Sequence, residues 1–179
     1  AAIGTMFRLP RPKPCAIDCC MKLAFHTYDV FTAQKFCGNP LAIVEAAGNL
    51  STQQMQAICR EFNLSETIFI MQPADKANTA RVRIFYPGGE MPFAGHPTVG
   101  CAIFLAEKNH KPGCAFETVI RLEEAAGLVP VKVSRIGDVP WAQFPAPVVP
   151  FVPDVTRPTA GAVARALGLD AADIGFGNH

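Results

Sequence analysis

Hydrophobic and polar positions change period several times along the chain, and each change predicts an element. Residues 22–31 (KLAFHTYDVF) mix aromatic and β-branched residues in partial alternation, which predicts a strand. Gly38-Asn39-Pro40 is a turn signal, and 41–44 is a short apolar strand. From Ser51 the period becomes helical: Met55, Ile58, Cys59 and Phe62 form one apolar stripe. Ser51 and Gln54 together supply a capping box at its start. Residues 67–71 are an apolar strand. In 80–86, Arg81 and Arg83 point outward while Val82 and Ile84 point inward, the mark of a half-buried strand. Pro87-Gly88-Gly89 is a turn. Pro97 suits the first turn of a helix, and the helix predicted from Pro97 to about Lys108 is apolar nearly all round. Such a helix is enclosed rather than laid on a surface. Strands are predicted near 114–122, 128–133 and 141–144, and a short helix over 159–167 with Gly168 as its stop.

Composition narrows the class. Of the 179 residues, 50% are apolar and 17% charged, enough for a sizeable core. A net charge of +1 without basic runs argues against nucleic acid, and no apolar run is long enough to span a bilayer. The seven cysteines show no CxxC pair and the four histidines are scattered, so no metal site is expected. They read as reduced, buried thiols of a cytoplasmic protein. Residues 1–20, with three prolines at 10, 12 and 14 and no periodicity, read as an upstream or non-native segment ahead of Met21. Residues 21–145 read as one domain. Prolines crowd the stretch after Pro145, so 146–179 read as a linker and the cut-off start of a second domain.

Two short segments concentrate candidate chemistry: NLSET at 63–67 and GEMPFAGHPTVG at 89–100. A helix starting at Pro97 would aim its first N–H groups at the loop holding Gly95 and His96, a place that favours an anion. Gly95 would let that anion approach the backbone, and His96 could hold or shuttle a proton. A structural histidine in a turn explains the spacing equally well. Glu66 precedes an apolar run, so its carboxylate is partly desolvated and suits proton transfer; an exposed strand-end glutamate is the plainer alternative. Asn39 and Pro40 could shape a pocket floor or make a simple turn. Gly95, Pro97, Asn39 and Ser65 are the candidate substrate-binding residues, and Glu66 and His96 the catalytic ones. Asp29, Glu90 and Glu124 read as solvated surface residues. A two-thiol racemase would need a cysteine beside the helix-mouth glycine, where this chain has Ala94.

The two segments, with YDVFTAQKFCGNPLAIV at 28–44, resemble the phenazine-biosynthesis PhzF-like isomerase/epimerase family over residues 21–175. The resemblance implies an α/β (α+β), diaminopimelate-epimerase-like fold, with a curved, mostly antiparallel sheet wrapped around a central helix. It also implies a site in a cleft between two similar domains, with Glu66 as general acid/base, His96 beside it and Gly95 as a backbone donor. The implied reaction is proton transfer on a small carboxylic-acid substrate without cofactor or metal, as in isomerisation of trans-2,3-dihydro-3-hydroxyanthranilate. Cysteine-based epimerases of the same fold carry a thiol near the position of Ala94. Family members resemble longer chains, so this chain reads as an incomplete, inactive fragment of an isomerase. The alternative is a non-catalytic binding module that pairs as a homodimer.

Overall fold

The computed structural model describes residues 22–149, 154 and 156–175. The readings of 1–20 as a foreign segment and of part of the proline-rich linker lie outside the described residues. The chain divides into two compact units, one ending at Val148 and one beginning at Val149.

The first unit is a sheet of 8 strands curled around one helix. In chain order it contains β1 (Phe25–Val30), β2 (Asn39–Val44), α1 (Thr52–Phe62), β3 (Glu66–Met71), β4 (Ala80–Tyr86), β5 (Gly89–Met91), α2 (Gly95–Asn109), β6 (Phe116–Glu124), β7 (Gly127–Arg135) and β8 (Pro140–Gln143). A short 3-10 turn over Ala47–Asn49 precedes α1. Strand order is β1-β2-β3-β4-β6-β7-β8, with β5 paired to β4. Among the described strands, the β2–β3 and β4–β6 pairs are parallel and the others antiparallel. The β4–β6 junction is short, joining Ala80 to Leu122 and Arg81 to Glu123. Thr79 N–H extends it by donating to the Arg121 carbonyl (2.9 Å).

Helix α2 packs against β1, β2 and β3 and also against β6, β7 and β8, so the sheet bends round to meet it from both flanks. Its buried set includes Val99, Cys101, Ala102, Phe104 and Ala106, as an all-round apolar helix requires. Gly100 permits a close approach to β1 and β2: a Cβ there would lie 2.6 Å from Leu41 Cδ2 and 2.9 Å from Val30 Cγ2. Strand alternation sorts the sheet's two faces. Ile68, Ile70, Val82 and Ile84 turn toward α2, whereas Phe69 and Phe85 join Met55 and Cys59 of α1 in a second core on the opposite face. The Phe69 and Phe85 rings meet edge to face at 5.5 Å, a favoured aromatic geometry.

Helix α1 starts as the sequence predicts. Ser51 Oγ accepts from Gln54 N–H (3.2 Å), and Ser51 N–H donates to Gln54 Oε1 (2.8 Å). Asn63 closes the helix in the left-handed region at φ 52°. Three expectations need correction. Helix α2 begins at Gly95, with Ala94 as N-cap, so Pro97 is its third residue rather than its first. A proline fits there because no N–H in the first turn has an intrahelical acceptor. The turn at Pro87-Gly88 returns as β5, making a hairpin with β4. Of the described cysteines, Cys59 and Cys101 are buried, but Cys37 and Cys114 sit in connecting loops and are exposed.

The second unit contains α3 (Ala160–Leu167), with Thr159 Oγ1 accepting from Ala162 N–H (3.2 Å) and Gly168 closing it at φ 69°. A 3-10 turn over Ala171–Asp173 follows. Among the described residues, no helix is long and apolar enough to cross a membrane.

Candidate active site

Parallel pairing of β2 with β3 places the start of one strand beside the start of the other, with Leu41 opposite Glu66. The residues just before and at these starts, Asn39, Pro40, Ser65 and Glu66, therefore share one end of the sheet. Alternation then turns Glu66 to the same face as Ile68 and Ile70, toward α2. The first turn of α2 meets that end of the sheet. His96 Nδ1 lies 3.1 Å from Glu66 Oε2, linking the two segments singled out from the sequence. The His96 side chain is 7% exposed and that of Glu66 19%. The pair is in electrostatic contact rather than an aligned hydrogen bond. Glu66 Oε2 and His96 Nε2 are both buried without a hydrogen-bond partner.

Burial disfavours the charged imidazolium and pulls the His96 pKa below its ordinary value; the Glu66 carboxylate and the Pro40 carbonyl act against that shift without cancelling it. His96 is thus held toward its neutral form, able to accept or donate at different ring nitrogens.

The other predicted residues surround this pair. Ser65 Oγ donates to Asn39 Oδ1 (2.8 Å), which ties the β3 entry to the β2 entry and fixes the Asn39 amide. Gly95 and His96 are the first two residues of α2, so their N–H groups have no acceptor within the helix, and Pro97 has none to offer. These donors and the helix dipole make the mouth of α2 favourable to an anion. A Cβ on Gly95 would meet only Phe144 Cζ, at 3.8 Å, so packing does not demand a glycine there.

Sequence reasoning misplaced Glu124. It is not a solvated surface residue: it is 8% exposed, and Thr98 of α2 lies 2.7 Å from its Oε1. Burial pushes its pKa up to about 7, a hydrogen bond with Thr98 opposing part of the rise. The signal was present in β6. Phe116, Thr118, Ile120 and Leu122 face inward at every second position, and the same step puts Glu124 inward as well. Glu90 pairs with Arg83 (2.6 Å) at the surface, and Asp29 accepts from Phe36 N–H at the β1–β2 loop. Cys101 is fully enclosed, and burial with the nearby Glu124 carboxyl pushes its thiol far up. A thiolate there is not available for chemistry. Among the described residues, no three His, Cys, Asp or Glu side chains gather as metal ligands.

Comparison with known proteins places this geometry. Residues 28–164 match the family described as phenazine biosynthesis-like protein (PhzC-PhzF). An uncharacterized isomerase of Mesorhizobium japonicum is 47% identical over 152 residues, covering 85% of this chain and 49% of that protein. The trans-2,3-dihydro-3-hydroxyanthranilate isomerase of Pseudomonas aeruginosa is 39% identical over 107 residues, 60% of this chain and 36% of that protein. A solved structure of a predicted epimerase from Pseudomonas aeruginosa superposes with a TM-score of 0.68 at 31% identity, covering 85% of this chain and 52% of that one. The chain spans about half the length of these relatives, or less. Its curled sheet with an enclosed helix is shared with that solved predicted epimerase, and the chain belongs to the phenazine biosynthesis-like (PhzC-PhzF) family.

Proposed function

We propose that the protein to which this chain belongs is an isomerase or epimerase acting by cofactor-independent proton transfer on a small carboxylic-acid metabolite in the cytoplasm. Glu66 is the general acid/base that takes and returns the proton, and His96 assists beside it. Gly95 and His96 offer their N–H groups to the substrate carboxylate, while Pro97 sets the turn that presents them and Asn39 and Ser65 line the approach. The observation that carries this reading is the 3.1 Å contact between Glu66 and His96 at the mouth of a buried helix. Glu66 Oε2 and His96 Nε2 are both buried there without an aligned hydrogen bond, as in an acid/base pair that must engage a third group. The open space at Gly95 supports close approach of an anion to the backbone. Because the chain spans about half of its relatives, turnover is assigned to the longer protein.

The test is solvent-deuterium incorporation by the full-length protein containing this chain, with trans-2,3-dihydro-3-hydroxyanthranilate as the probe substrate. Wild type is expected to exchange the transferred hydrogen. Glu66→Gln is expected to lower that rate by about 10²–10⁴-fold while the melting temperature holds. Undiminished exchange in Glu66→Gln overturns the assignment of Glu66.

A further inference from the structure

Glu124 is a buried acid with no role in the proton transfer described above, and its surroundings define its protonation. Thr98 Oγ1 lies 2.8 Å from the Ala94 carbonyl and 2.7 Å from Glu124 Oε1. A threonine hydroxyl has one hydrogen and cannot donate fully to both oxygens. If Glu124 carries a proton, the three groups form a consistent relay: carboxyl O–H to Thr98 Oγ1, then Thr98 O–H to the Ala94 carbonyl. If Glu124 is ionised, the hydroxyl turns to the carboxylate, and the Ala94 carbonyl keeps only the Thr98 N–H at 3.2 Å.

The remaining surroundings favour the neutral acid. Glu124 Oε2 is buried without a partner, which is costly for a carboxylate and less so for the carbonyl oxygen of an acid. Among the described residues no cation pairs with Glu124. Thr98 and Cys101, both on α2, are the polar and titratable groups that act on it or respond to it. The turn that follows Glu124 is itself anchored to the approach to α2, since Ala126 N–H donates to the Pro92 carbonyl (3.0 Å). Two links thus join the β6–β7 hairpin to the start of α2: one a fixed backbone bond, the other a side-chain relay that depends on a proton.

We propose that Glu124 is a positioning residue that acts as a neutral carboxylic acid, holding the Ala94 N-cap through Thr98 and thereby fixing the α2 turn that carries Gly95 and His96. Resting on the isomerase reading, the relay gains a second consequence. A neutral Glu124 leaves the positive end of α2 for the substrate carboxylate, whereas an ionised one competes for the same potential. Loss of the proton therefore loosens the turn and weakens substrate binding together, in the range where His96 is already neutral.

The experiment compares wild type, Glu124→Gln, Thr98→Val and Thr98→Ser across pH. Glutamine keeps a donor to Thr98 but cannot titrate; serine keeps the hydroxyl and valine removes it. In infrared difference spectra of wild type against Glu124→Gln, a protonated-carboxyl band is expected in acid, fading with a midpoint of about 7. The Gly95 amide resonance is expected to move with the same midpoint in wild type and Thr98→Ser, and to stay at its acid-form position in Glu124→Gln. In Thr98→Val it should be displaced at every pH. Absence of the band in acid overturns the proposal, as does a Gly95 resonance that ignores the midpoint or follows it equally in Glu124→Gln. Should Glu124→Gln fail to fold, the Thr98→Ser and Thr98→Val pair decides: a Gly95 resonance indifferent to the hydroxyl sinks the relay. These readouts need no turnover, so their failure removes the role of Glu124 while leaving that of Glu66 to its own deuterium test. In the longer protein KM should rise above the midpoint in wild type but stay flat in Glu124→Gln.

Discussion

His96 Nδ1 stands 3.1 Å from Glu66 Oε2, yet the two residues come from different elements and meet only because β3 and α2 converge at one end of the sheet. The carboxylate would raise the imidazole pKa, and burial lowers it by more. This balance has a consequence that can be read at the ring itself.

A histidine whose folded-state pKa lies below its unfolded value binds its proton less readily when folded. Its contribution to stability is therefore complete above the unfolded value, about 6.5, and is lost as pH falls toward the folded one. An NMR titration of the His96 ring is expected to give a midpoint below the ordinary imidazole value. A midpoint above it would mean that the Glu66 carboxylate outweighs burial.

Glu124 has the opposite sign. Its folded pKa is raised from 4.5 to about 7, so the stability tied to its proton is complete below about 4.5 and is lost as pH rises through about 7. The loss amounts to roughly 3 kcal/mol. Urea unfolding should show wild type losing stability relative to Glu124→Gln between these limits and running parallel to it above them. Parallel curves throughout the acid range would show that Glu124 is ionised in the folded protein.

Gly38 holds the entry to β2 by lacking a side chain. A Cβ there would lie 2.4 Å from the Val30 carbonyl oxygen and 2.6 Å from Thr32 Cγ2. Because the first of these is backbone, Gly38→Ala should cost about 1–3 kcal/mol and shift the neighbouring Asn39. Gly48 is the control, since a Cβ there meets nothing within 4 Å. If thermal melts place the two alanine variants together, the close approach at Gly38 is not a constraint.

Ser51→Ala removes the acceptor for Gln54 N–H at the start of α1. The expected cost is about 1 kcal/mol, which lowers Tm by about 2–4 °C in a chain of this size. A Ser51→Asp variant should restore most of that loss. Equal melting of all three proteins would show that the cap adds nothing to the folded unit.

What could be seen in the sequence followed local rules. The capping box at Ser51, the alternation in β4 and the all-round apolar character of α2 each depend on residues within a few positions, and the structure contains all three. Glu66 and His96 could be picked as candidates because each stands beside an apolar run. Their contact could not be derived without knowing that the starts of β3 and α2 converge, which is a long-range choice. The α2 start was misplaced by two residues because proline tolerates any first-turn position, so Pro97 alone does not say which one it occupies. Glu124 was missed because a charged residue next to a turn looks solvated until strand parity is carried through to the end of β6.

The short junction between β4 and β6 places the weakest line of the sheet through its middle rather than at a rim. One half, β1 to β5, carries Glu66; the other, β6 to β8, carries Glu124. Helix α2 packs against strands of both halves, β1 to β3 on one side and β6 to β8 on the other. The helix is therefore a spine shared by both halves of the sheet. Substitutions that thin its buried side chains, such as Phe104→Ala, will act on both acids at once.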